Sequence, residues 1–165
     1  MNTTWLTLSK ERRMELLNQA TELTGLPEIA IEKDWWVVQT LSVIFSMKYA
    51  EVLIFKGGTS LSKGWNLIQR FSEDIDLALD REFLGFTGEL SKGDIKKLRR
   101  KSYQFITEIF TEELKNKFTE LGFENVLVKY REVENHDQDP LIIEIYYPTL
   151  TNKDSYLKPA VLVGR

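Results

Sequence analysis

The reading turns on Phe55–Asp80, FKGGTSLSKGWNLIQRFSEDIDLALD. A short apolar run, Val52-Leu53-Ile54-Phe55, leads into a double glycine, Gly57-Gly58. Thr59 and Ser60 follow, then an amphipathic segment, and the stretch closes on Ser72-Glu73-Asp74-Ile75-Asp76-Leu77. The pattern predicts a strand over 52–55, a short helix over 59–69 and a second strand over 74–79, a strand–helix–strand unit. Positions i and i+2 of a strand project from one face, so Asp74 and Asp76 share a side. Ile75, Leu77 and Leu79 mark that strand as half-buried, where unpaired acids are costly. Two like charges on one face need something positive between them. A divalent metal with hard oxygen ligands, Mg²⁺ or Mn²⁺, meets that need, with a bound phosphate completing the shell.

Gly57 and Gly58 let backbone come close to a ligand, and N–H groups at a helix start favour an anion. A plain strand-to-helix turn is compatible with this, because the turn is itself the cradle. The hydroxyls of Thr59 and Ser60 are candidates for a β- or γ-phosphate, or for capping the short helix. Lys56, Lys63 and Arg70 lie in the same stretch and suit either phosphate or structural ion pairing. The competing phosphate motif, Gly-x4-Gly-Lys-Ser/Thr, is absent: counting on from either glycine does not reach Gly-Lys. A phosphate cradle and an acid pair in one continuous unit imply phosphoryl or nucleotidyl transfer.

Composition narrows the rest. The chain of 165 residues suits a single domain over 1–165 with a real core. A net charge of −3 gives no bulk attraction to nucleic acid, so any such contact needs a local basic patch. With no cysteine and one histidine, His136, disulfides, thiolate metal sites and multi-histidine zinc sites are excluded. No signal peptide is evident and no apolar run approaches the roughly 18–20 residues that span a bilayer, so a cytoplasmic protein without membrane contact is expected.

Along the chain, a first helix is predicted over 9–24 with Ser9 as its cap, and Gly25-Leu26-Pro27 breaks it. A second helix, about 27–46, takes Pro27 in its first turn and presents Ile31, Trp35, Val38 and Leu41. Ser91 with Asp94 resembles a capping box opening a helix over 92–120, with Leu98, Phe105, Ile106, Ile109, Phe110, Leu114 and Phe118 facing inward. Gly122 ends it. Strands follow at 126–131, 141–147 and 156–163, with polar turns at 136–140 and 148–154. The expected architecture is α/β with a small mixed sheet. Lys92, Lys96, Lys97, Arg99, Arg100 and Lys101 crowd the start of the long helix, either as a solvated face or as a surface that steers RNA. His136 reads as an ordinary surface residue.

FKGGTSLSK over 55–63 and RFSEDIDL over 70–77 together resemble the signature of the AbiEii/AbiGii toxin family, and Glu32-Lys33-Asp34-Trp35 is similar to a further family element. Fifteen residues separate Gly58 from Asp74, within the spacing of the wider superfamily. The resemblance implies a nucleotidyltransferase (polymerase-beta-like) fold of α/β or α+β class, its small mixed sheet flanked by helices. It implies Mg²⁺ held by Asp74 and Asp76, an NTP held by Gly57, Gly58, Thr59, Ser60 and Lys63, and transfer of an NMP to an acceptor hydroxyl. A third acid is expected on a neighbouring strand, and Glu144 is the only one within Ile142–Tyr147. Lys33 or Asp34 brace the site, or pack and pair. The implied partners are an RNA acceptor, tRNA foremost, and an antitoxin protein. No match to the family's later lysine and Arg-Asp motifs precedes Arg165, so the chain reads as the N-terminal part of a longer protein. A nucleotide-binding module without turnover and a kinase-type phosphotransferase are the alternatives.

Overall fold

The structure, a computed structural model, describes residues 3–65, 67, 74–131, 141–151 and 158–164. Arg70, His136, the 136–140 turn and the first residues of the predicted last strand lie outside the described residues.

After a short turn of helix, α1 (Thr4–Thr7), comes α2 (Lys10–Thr24). Ser9 caps α2, its side chain accepting the Arg12 backbone N–H at 3.2 Å, and Gly25 closes it with φ 72°. Pro27 is the cap of α3 (Glu28–Ile44) rather than its first-turn residue, because its ψ of 147° is extended. The buried stripe of α3 runs through Trp36, Val37, Thr40, Val43 and Ile44, which leaves Val38 on the far side, exposed. The predicted stripe was rotated because polar side chains, Glu32, Lys33, Gln39 and Thr40, share the buried face.

The capping box forms: the Ser91 hydroxyl accepts the Asp94 N–H at 3.2 Å and the Asp94 carboxylate accepts the Ser91 N–H at 3.3 Å. The long helix it opens has three parts: α5 (Lys92–Gln104), a wider π segment (Phe105–Phe110) and α6 (Thr111–Glu120). The Thr111 hydroxyl donates to the Ile106 carbonyl, five residues back, at 2.7 Å. The wider turn adds a residue to the register. Phe105, Phe110, Leu114 and Phe118 are therefore buried, whereas Ile109, predicted to face inward, is 43% exposed.

Among the described residues five strands make one mixed sheet: β1 (Leu53–Lys56), β2 (Asp74–Leu79), β3 (Leu127–Tyr130), β4 (Ile142–Tyr146) and β5 (Ala160–Gly164), in the order β1-β2-β5-β4-β3. Only β2 and β5 run parallel. One face carries Ile75, Leu77, Val128, Ile143, Ile145, Val161 and Val163, packed against Trp36, Val37, Val43 and Ile44 of α3 and Phe105, Phe110, Leu114 and Phe118. Alternation sends Lys56, Asp74, Asp76, Leu162, Gly164, Glu144 and Lys129 to the opposite face.

A buried carboxylate holds the 149–151 segment that follows β4. Glu32 is 1% exposed, and its carboxylate accepts from the Thr149 hydroxyl at 2.6 Å, the Leu150 N–H at 2.8 Å and the Thr151 hydroxyl at 2.9 Å. A buried carboxylate is tolerated when its lone pairs are filled in this way. Glu32→Ala strands three donors and is expected to cost about 3 kcal/mol, with Glu32→Gln costing less. Urea unfolding followed by tryptophan fluorescence checks this, and a loss below about 1 kcal/mol for the alanine variant would remove the clasp from the account.

Candidate active site

The antiparallel pairing of β1 and β2 sets Lys56 opposite Asp76, and the chain bends immediately afterwards. Gly57 makes that bend with φ 72°, a left-handed value that side chains resist. A second reason for glycine is space. A Cβ at Gly57 would stand 2.1 Å from Oδ2 of Asp76 and 2.9 Å from its Cγ. On the other flank Gly164, the register partner of Asp76 on β5, would place a Cβ 3.5 Å from Oδ1. The Asp76 carboxylate thus sits in a slot walled by two residues without side chains. Gly164 escaped the sequence reading: a glycine ending an apolar strand carries no signal until the register is known.

Asp74, two residues earlier, lies on the same face and is exposed. Thr59 is buried, and its hydroxyl donates to the Asp74 backbone carbonyl, tying the turn to β2. A hydroxyl has one proton to give, so donation to a phosphate from Thr59 would require that bond to open. The helix after the bend is shorter than predicted: α4 (Gly57–Thr59) runs into a π turn over Ser60–Gly64. Ser60 is buried within this turn and Gly58 is half-buried. Lys63 pairs with Asp34 of α3, Nζ to Oδ1 at 2.6 Å. The Glu32-Lys33-Asp34 element therefore reaches two places, the 149–151 segment through Glu32 and the π turn through Asp34.

Glu144 shares the acid face. Asp74 and Glu144 both pair in register with Leu162, so β5 lies between them and their Cα atoms are about 10 Å apart. Its carboxylate accepts from the Arg131 guanidinium at 2.6 Å and the Tyr146 hydroxyl at 2.9 Å. The Arg131 hydrogen bond, outweighing partial burial and helped by Tyr146, holds the Glu144 carboxyl below the usual carboxylate range. Tyr146's own hydrogen bond to Glu144 pushes the Tyr146 hydroxyl up. Glu144 is thus ionised and engaged, a poor base at neutral pH.

Among the described residues no cluster of three or more His, Asp or Glu groups comes together to hold a metal. The donor set the chain offers at the bend is the Asp74–Asp76 pair. Two hard oxygen donors on one face, one of them seated in a slot, fit an ion such as Mg²⁺ that takes one or two carboxylates and completes its shell with substrate oxygens. In the basic cluster, Lys101 donates to the Leu84 carbonyl at 3.3 Å and sits over the Phe86 ring, while Lys97 lies 3.7 Å from Asp94. Lys101 thus holds the 81–90 loop against α5, while the Lys97 pair lies within the helix.

The family model described as "Nucleotidyl transferase AbiEii toxin, Type IV TA system" matches residues 41–154, over two thirds of the chain. The match takes in the glycine bend, both aspartates and Glu144. No curated protein and no solved structure matched the chain. Among the described residues no helix is long and apolar enough to cross a membrane.

The two glycines should respond differently to alanine. Gly57→Ala meets both a forbidden φ and the Asp76 carboxylate, and is expected to lose about 2–4 kcal/mol or fail to fold, whereas Gly164→Ala makes ordinary contact and should lose under about 1 kcal/mol. Equal losses in thermal melts would contradict the slot. For Glu144 the sign follows from a folded pKa below the ordinary 4.5: the stabilisation is complete above that value and fades as pH falls through the lower, folded one. Arg131→Met should therefore destabilise the protein at neutral pH, with the difference from wild type shrinking as pH falls below 4.5 in pH-dependent urea melts.

Proposed function

We propose a reaction from one premise: the chain belongs to the AbiEii nucleotidyltransferase toxin family. The reaction is Mg²⁺-dependent transfer of an NMP from an NTP to an acceptor hydroxyl. Asp74 and Asp76 hold the metal. Bound there, Mg²⁺ neutralises charge on the triphosphate and orients it. Gly57 and Gly58 bring main chain close to the β,γ-phosphates, and Ser60 offers its hydroxyl beside them. The acceptor hydroxyl gives up its proton to solvent as its oxygen bonds to the α-phosphorus and the bond to pyrophosphate breaks. Positioning and charge neutralisation carry most of the rate in such chemistry. Glu144, ionised and doubly hydrogen-bonded, is left out of proton transfer in this reading.

The observation that carries the reading is the Asp76 carboxylate seated against Gly57, which brings the acid pair and the bend into one place. The family description, a toxin of type IV toxin–antitoxin systems, supports an antitoxin partner, and an RNA acceptor extends the same reading. A second reading, nucleotide binding without turnover, has one observation in its favour: among the described residues no third carboxylate joins the pair.

NTPs labelled at the α- or γ-phosphate, offered with total RNA and protein, separate the possibilities. Transfer of the α-label is expected, and Asp74→Asn or Asp76→Asn should lower it on the order of a thousandfold while the far-ultraviolet circular dichroism is unchanged. Transfer of the γ-label would mean a kinase. Binding with no transfer of either label would favour the second reading.

A further inference from the structure

Lys56 stands in register opposite Asp76 and one residue before Gly57. Paired residues on adjacent antiparallel strands present their side chains on one face, with Cβ atoms about 4.5–5.5 Å apart. Lys56 is exposed and forms no ion pair with any described residue. Lys63, the lysine expected at the nucleotide, is differently placed. Its ammonium lies 2.6 Å from Asp34, with 22% of the side chain exposed, and its charge is already answered by α3.

We propose that Lys56 is the cation of the triphosphate subsite and that Lys63 is a positioning residue that fixes the π turn through Asp34. The inference rests on the nucleotidyl-transfer reading above and goes beyond it by assigning the charge that reading leaves unassigned. An NTP brings about four negative charges to the site, of which one divalent ion answers two. The remainder falls on the phosphates farthest from the nucleoside. A lysine ammonium is a mobile point charge suited to non-bridging phosphate oxygens, whose arrangement shifts during the reaction. Lys56 has the face, the exposure and the neighbour for this: it flanks the carboxylate that holds the metal, on the edge strand that delivers the chain to the bend. Opposite Asp76 it also offsets the repulsion between the two aspartates when no nucleotide is bound.

The proposal divides the two lysines by what each recognises. Lys56 should distinguish a triphosphate from a monophosphate, because only the former reaches past the α-phosphate. Lys63 should set the shape of the turn for both ligands alike. Calorimetric titration of the full chain with each of the four Mg²⁺-NTPs and the matching NMPs tests this. Lys56→Met is expected to weaken the best-bound NTP ten- to thirtyfold, about the range for one charge-assisted hydrogen bond, and to change NMP binding less than about twofold. Lys56→Arg should restore most of the triphosphate preference, and added salt should weaken NTP binding more in wild type than in Lys56→Met. Lys63→Met and Asp34→Asn should lower the melting temperature and leave the NTP-to-NMP ratio within about twofold of wild type. Unchanged NTP binding in a folded Lys56→Met, or a triphosphate-specific loss in Lys63→Met, overturns the assignment while leaving the transferase reading standing. A wild-type protein that binds no Mg²⁺-NTP, or an Asp76→Asn protein that binds it undiminished, overturns both.

Discussion

The structure depends on one close approach, the Asp76 carboxylate against the backbone at Gly57. A hypothetical Cβ there would overlap a carboxylate oxygen at 2.1 Å, so the acid occupies the space a side chain would fill. Several constraints must agree for this to occur. The β1–β2 register must set Lys56, and not its neighbour, opposite Asp76. The bend must start at the next residue and take a positive φ. A one-residue slip of β2 would send Asp74 and Asp76 into the apolar face and Ile75 and Leu77 out of it. The hydrophobic pattern of β2 therefore fixes the chemistry as well as the fold: burying Ile75, with no exposed surface, and Leu77 presents both acids to the other side.

What holds the slot in shape is α3, which contributes no residue to the acid face. Its buried stripe anchors it to the sheet through Trp36, stacked on Tyr147 at 4.9 Å, and through Val37, Val43 and Ile44. From that base Glu32 reaches the 149–151 segment and Asp34 reaches Lys63. The first contact fixes the 149–151 segment that follows β4, and the second fixes the turn that follows Gly57. Thr59, through its bond to the Asp74 carbonyl, ties that turn to β2 from within. Most of these are charge-assisted or buried hydrogen bonds, which lose strength steeply with displacement. A scaffold of this kind limits how far the bend and the acids can drift apart.

The strand–bend–strand unit was legible in the sequence because its signals are local. Alternation over 74–79 placed β2 at its observed limits, and the double glycine marked the bend. The Ser9 cap and the Ser91–Asp94 box were readable for the same reason, being patterns confined to a few residues. What the sequence hid was non-local. Gly164 matters only because β5 lies parallel to β2 in one register. The buried face of α3 was misplaced because Glu32, Lys33 and Thr40 look like surface residues until the partners of the first are found 117 to 119 positions away. Ile109 was placed inside because a regular helix would put it there, and a single wide turn moves it out. Of the candidate site residues, Asp76 and Gly57 meet and Asp74 shares the face of Asp76, while Lys63, Thr59 and Glu144 have protein partners that no spacing argument could supply.

The distribution of charge over the acid face accounts for the separation of Glu144 from the pair. Three carboxylates drawn together would each raise the cost of ionising the others, and a site meant to work at neutral pH would then need a metal merely to remain folded. Here the third acid is kept a strand away and neutralised by its own cation, Arg131, with Tyr146 filling a second lone pair. The remaining two lie beside Lys56, on a face that solvent reaches, where repulsion between them is screened. The sheet thus carries two electrostatic units on one surface, an ion pair at β4 and an acid pair at β2. Position in the strand register, more than the number of acids on the face, is what separates Glu144 from Asp74 and Asp76.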